Sequence, residues 1–125
     1  MKKYYTFKNI DSGLKTESAK RRNRSILYIA TEGGKKAKAG QKKFIMAKKL
    51  YNMIIDMNEA KELQLYHDSI DSIAHEKAAN RWSEYQEKIF VDAQKIAKKL
   101  NIKIYSGTFW HIMDKNGYDI NTDKF

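Results

Sequence analysis

Sixty consecutive residues of this chain, Gln41 to Leu100, repeat apolar side chains at three- and four-residue steps, and that pattern limits the fold more than any other feature. Phe44, Ala47, Leu50/Tyr51 and Ile54 recur at helical spacing, and Met46, Met53 and Met57 widen the stripe. A helix is expected from about Gln41 to about Asn58, with Gly40 marking its start. A second helical region is expected from Ala60 to Leu100, carried by Leu63, Tyr66, Ile70, Ile73, Ala78, Trp82, Tyr85, Ile89, Ala93, Ile96 and Leu100. The period slips between Ile73 and Trp82, which predicts a break near Ala79-Asn80. Unbroken, that region would form a rod about 60 Å long at 1.5 Å per residue. A small domain uses such a rod only as a bundle arm or a dimer coiled coil, so two packed helices are expected.

The flanks are patterned differently. Lys3–Ile10 is aromatic and loosely alternating and is expected to be a strand, ended by the turn chemistry of Asp11-Ser12-Gly13. Ser25–Thr31 is a short apolar run bounded by polar residues and is expected to be a buried strand, terminated by Gly33-Gly34. Near the other end, Asn101–Ser106 alternates Ile102 and Ile104 with Lys103 and Tyr105. Asn116-Gly117 is a strong hairpin signal, because both residues tolerate positive φ, and it predicts Trp110 and Ile112 on one face with Tyr118 or Ile120. A competing pattern, Ala93-x-x-Ile96-Ala97-x-x-Leu100-Asn101-Ile102 followed by Thr108-Phe109-Trp110, suggests a helix-turn-helix. The resulting expectation is an α+β fold: a small N-terminal β-sheet, two or three central α-helices and a C-terminal strand or hairpin. The whole of 1–125 is read as a single domain, with a basic part at 1–50, a helical body at 51–100 and a short β or helix-turn segment at 101–125.

The chain has 125 residues, 42% of them hydrophobic, enough to bury a core without crosslinks. It contains no cysteine, which excludes disulfides and thiolate metal sites. No apolar stretch approaches the length of a membrane span, and Met1–Asn9 turns polar too soon for a signal-peptide core. A soluble cytoplasmic protein with no membrane partner is therefore expected. Proline is absent while Lys, Ile, Asn and Tyr abound, a usage typical of the AT-rich genomes of bacteriophages and low-GC bacteria.

Charge is the feature that speaks to function. Residues 1–50 hold 15 Lys/Arg against three acids, a net of +12, whereas residues 51–125 hold 10 against 12, a net of −2. A one-sided excess of this kind suits a polyanion, and nucleic acid, DNA or RNA, is the expected partner. Two places stand out. Lys20, Arg21, Arg22 and Arg24 form a cluster suited to bidentate phosphate contact, with Tyr4, Tyr5, Phe7 and Tyr28 as stacking platforms or as core. Gly33, Gly34, Lys35, Lys36, Lys38, Lys42 and Lys43 lie between an expected strand and an expected helix. Glycines there let backbone N–H groups approach an oxyanion while lysines supply charge. This is not a P-loop, since five residues separate Gly34 from Gly40 and Gln41 stands where that motif needs lysine. A plain solvated loop accounts for the same residues.

Other constellations are weaker. His67, Asp71 and His75 would fall on one face of a continuous helix, an arrangement able to hold a divalent metal, but a solvated polar face is the preferred reading. Asp114–Asp119 resembles a calcium loop but has its glycine misplaced and lacks the terminal glutamate. No nucleophile–histidine–acid set can be assembled. Binding is therefore expected in place of catalysis, with no cofactor and no metal. Two alternatives stand beside nucleic-acid binding: an inhibitor or interaction module of phage type docking on an acidic protein surface, and a nucleotide or small-phosphate binder using the 33–40 loop. A homodimer through the Met- and Tyr-rich helices is a further expectation.

Overall fold

A computed structural model describes residues 16, 25–26, 29–30, 40–113 and 119–120. Two long helices, α1 (Gly40–Asp68) and α2 (Ile73–Lys99), are followed by three strands: β1 (Lys103–Ser106), β2 (Trp110–Met113) and β3 (Asp119–Ile120). The strands form one antiparallel sheet in the order β1-β2-β3.

Helix α1 forms because Phe44, Ala47, Leu50, Tyr51, Ile54 and Met57 fall on one face and are all buried. It runs ten residues beyond the expected end at Asn58. Past that point the buried positions change character: Ala60, Gln64 and His67, at steps of four and three, are the more enclosed positions, while Leu63, Leu65 and Tyr66 are exposed. A stripe read from the large apolar residues therefore pointed to the wrong side of the helix.

The break lies at residues 69–72, not near Ala79-Asn80. Ser69 donates its hydroxyl to the Tyr66 carbonyl at 2.6 Å, and Ser72 caps α2 by accepting from the His75 N–H at 3.2 Å. Ser72 sits in extended backbone (φ −157°, ψ 150°), the geometry of a helix N-cap. Ile73, counted as part of the apolar stripe, is 74% exposed. Helix α2 passes through Ala79-Asn80 unbroken, because its buried positions Ala79, Gln86, Ala93 and Leu100 step by seven, with Trp82, Ile89 and Ile96 half-buried between them. Small and amide side chains fill a seam that a search for large apolar residues does not see.

The expected N-terminal sheet is absent among the described residues, and the protein is α-rich. Ser25, Ile26, Ile29 and Ala30 are helical. Ile26, Ile29 and Ala30 stand at i, i+3 and i+4, and all three are buried in one cluster with Phe44, Leu50, Ile54 and Ile112. A short uninterrupted apolar run reads the same for a buried strand and a buried helix, and packing decided for the helix. The strand expected at Lys3–Ile10 lies outside the described residues.

At the C-terminus the hairpin reading prevails over the helix-turn-helix, since Trp110–Met113 is a strand. Ile112 pairs with Ile120, one of the two partners expected to share its face, in a register one residue off that of a two-residue Asn116-Gly117 turn, which would set Ile112 opposite Asn121; the turn itself lies outside the described residues. Helix α2 ends in a Schellman motif: Ile102 N–H reaches the Ala97 carbonyl at 3.0 Å and Asn101 N–H reaches that of Lys98 at 3.2 Å. Asn101 takes the left-handed conformation this requires (φ 57°), which re-aims the chain into β1 and buries Ile102 beside Ala97.

A chain of amides joins both helices to the sheet. The Trp110 indole can only donate, and it donates to Gln86 Oε1 at 2.9 Å. Gln86 must then present Nε2 to Gln64 Oε1 at 2.7 Å and to the Trp82 carbonyl at 3.2 Å. Asn58 closes the set: its Oδ1 accepts the Trp110 N–H at 2.7 Å and its Nδ2 donates to the Trp110 carbonyl at 3.0 Å. Asn58 thereby supplies hydrogen bonds to Trp110, where the two-residue β3 does not reach.

Asn58→Ala strands a part-buried N–H and carbonyl on Trp110 and is expected to cost about 1–3 kcal/mol, read from urea unfolding. Asn101→Gly is expected to raise stability by about 0.5 kcal/mol, while Asn101→Val lowers it by about 1–2 kcal/mol, because a β-branched residue resists the left-handed region.

Candidate nucleic-acid interface

The first three turns of α1 bury Phe44, Ala47, Leu50 and Tyr51 and leave Lys42, Lys43, Lys48 and Lys49 exposed. At 100° per residue, Lys42 and Lys49 lie within about 20° of one another on the outer face. Ile45, 58% exposed, lies between them and Lys48. The helix has no acidic residue in its first turn. That is electrostatically unusual, because the exposed N–H groups of a helix start carry partial positive charge and favour Asp or Glu there. Lys42 and Lys43 put two further cations at that end.

Of the residues expected to contact phosphate, Lys42 and Lys43 are the two the structure places, both exposed on one helix start. Lys20, Arg21, Arg22, Arg24, Gly33, Gly34, Lys35, Lys36 and Lys38 lie outside the described residues, as do Tyr4, Tyr5, Phe7 and Tyr28.

A second basic region escaped the sequence reading. Residues 93–113 contain Lys95, Lys98, Lys99 and Lys103 and no acid. Summing charge over the whole of 51–125 concealed this, because acids in α1 and early α2 cancelled it. Lys98 and Lys103 line an open groove of about 660 Å³ with Gln94, Ala97, Asn101, Ile102 and Ile104. On the neighbouring hairpin Tyr105 and His111, directly paired across the strands, stack at 5.0 Å and 17°. These lysines differ from Lys42 and Lys43 in one respect. Lys98 and Lys99 occupy the last turn of α2, where cations offset the helix dipole, so helix stability alone accounts for them.

The His67–Asp71–His75 set is not one helical face, since the helix ends between its members. The turn nonetheless brings the two imidazoles together, with Nδ1 of His67 2.8 Å from Nδ1 of His75, and leaves Asp71 exposed. Tyr66 presents its ring edge-on to both. Among the described residues no three histidine or carboxylate groups already stand in metal-ligand geometry.

Elsewhere on the helix pair, the Tyr85 hydroxyl donates to Asp56 Oδ2 at 2.8 Å. That hydrogen bond, then the carboxylate's charge, then slight desolvation and Glu59, raise the Tyr85 phenol above its ordinary 10.0.

No family model, no curated protein and no solved structure significantly matches the chain. Among the described residues, no helix is long and apolar enough to cross a membrane.

The raised Tyr85 value fixes a pH dependence. The folded state holds the neutral phenol more tightly than the unfolded chain does, so the tie between α1 and α2 is intact below the ordinary tyrosine range and is lost as pH rises through the folded value. In absorbance titration at 295 nm, subtracting the Tyr85→Phe curve isolates this group. Its phenolate is expected to form at higher pH in the wild type than in Asp56→Asn.

Proposed function

We propose that the protein binds nucleic acid by neutralising phosphates, with the helix start at Lys42 and Lys43 as one contact and the remaining lysines and arginines of residues 1–50 supplying the rest. The observation that carries this reading is the electrostatic anomaly at α1. Two lysines and no acid at a helix N-terminus oppose the dipole, an arrangement that costs a few tenths of a kcal/mol per charge in the free protein. A phosphate seated at that end reverses the sign, since the N–H groups, the dipole and the ammonium groups then act together on one anion. Lysine contacts of this sort position a backbone and carry little sequence information, so weakly sequence-dependent binding is the expected mode.

Two measurements test the proposal together. Fluorescence anisotropy with a labelled oligonucleotide, single-stranded or duplex, should give a linear fall of log K with log salt concentration, with slope about −0.7 to −0.9 per phosphate contacted. Lys42→Glu/Lys43→Glu should flatten that slope by roughly two contacts while raising unfolding stability by about 0.5–2 kcal/mol in total. Weaker binding from a more stable protein separates a lost contact from a damaged fold. A salt-independent signal would defeat the reading, as would capture of an acidic protein partner that survives complete nuclease digestion with no oligonucleotide binding.

A further inference from the structure

The α1–α2 turn holds two of the chain's three histidines, and the proposed nucleic-acid contact uses neither. His67 sits in the last turn of α1 and His75 in the first turn of α2. The four residues between the helices, 69–72, held by the Ser69 and Ser72 hydroxyl bonds, fold the two histidines onto each other with ring centroids 5.0 Å apart. Their Nδ1 atoms face one another at 2.8 Å, so one must donate and the other accept, and a single proton lies between them.

The surroundings favour a cation. From His67 to Glu76 the chain carries Asp68, Asp71 and Glu76 and no lysine or arginine. Those three carboxylates line an open cleft of about 520 Å³ with His67, Ser69 and Ser72. The negative pole at the end of α1 and the positive pole at the start of α2 meet at this turn and offset one another, so the carboxylates set its local field. The nearby rings and turn residues are held by Tyr66, whose edge meets His67 at 5.1 Å and His75 at 6.3 Å between centroids.

We infer that His67 and His75 form a two-imidazole chelate for a divalent late transition-metal ion, which takes the place of the shared proton. With metal–nitrogen bonds of about 2.0–2.1 Å, two cis ligands stand roughly 2.9–3.4 Å apart, so the nitrogens must separate by a few tenths of an ångström from 2.8 Å and each ring must turn by about 35–45° to aim its lone pair at an ion beside the line that joins them. Imidazole donors select copper, nickel and zinc over magnesium or manganese. With two protein donors, water completes the shell, beside a cleft whose carboxylates supply negative charge on the His67 side. Metal binding at this turn would clasp the C-terminal end of α1 to the start of α2.

The test titrates the intact protein with Cu²⁺, Ni²⁺, Zn²⁺ and Mg²⁺ by calorimetry and follows the imidazole nitrogens by long-range ¹H–¹⁵N NMR with Zn²⁺. One equivalent is expected to bind, tightest for Cu²⁺ and undetectable for Mg²⁺. Zn²⁺ should shift both Nδ1 signals of His67 and His75 and leave those of His111 in place. His67→Gln and His75→Gln should each weaken binding at least tenfold, and His111→Gln should leave it unchanged. Should a His67 variant fail to fold, the wild-type nitrogen shifts decide by themselves. The inference is overturned if saturating Zn²⁺ moves neither Nδ1, if His67→Gln retains wild-type affinity, or if His111→Gln loses as much as His67→Gln.

Discussion

The hydrogen-bonded chain Gln64–Gln86–Trp110–Asn58 is the constraint on which the arrangement of this protein depends. It links α1 to α2 through two glutamines and links both to the sheet through one indole and one strand backbone. Gln86 is 4% exposed, the one buried polar residue among those described, and its amide is fully used. An amide half-satisfied in that position would cost more than an alanine, so the network holds only with every member in place. The Trp110 ring packs against Phe90 of α2, centroids 5.0 Å apart and tilted by 32°, while its backbone is held by Asn58 of α1. The hairpin is therefore pinned between the helices and not merely laid beside them.

The helix pair has two kinds of seam. Toward the N-terminal half of α1 the contact is an aliphatic core shared with Ile26, Ile29 and Ala30 and with Ile112. Toward the turn it becomes alanine, glutamine and histidine, with Leu63, Leu65, Tyr66 and Ile73 left on the outside. That inversion gives the turn its polar chemistry, since the histidines lie on the inner side near its apex.

Electrostatics separates the lysines into two groups by position. Those of α2's last turn complement the dipole and need no further reason. Those of α1's first turns oppose it and mark the place where an anion would bring a net gain. At the other end of α1 the rule favours neither sign, because the start of α2 lies beside the end of α1 and the carboxylates of the turn decide its field.

The sequence by itself determined that most of residues 41–100 is helical, that the chain at 102–106 alternates, that Ile112 shares a face with Tyr118 or Ile120, and that basic charge collects before residue 50. Each is a local property: a period, a turn dipeptide or a count. Only the tertiary structure decided the rest. Ser25–Ala30 reads equally as strand or helix until its neighbours are known, and Ile26 and Ile29 became helical partners by burial against α1. The break moved to Ser69–Ser72 because Ile73 lies outside and Ala79 inside, which no spacing of large apolar residues reveals. The approach of His67 to His75 likewise arises from a turn that the assumption of a continuous helix erased. Burial is a property of pairs of elements, and a one-dimensional pattern records only which residues would accept it.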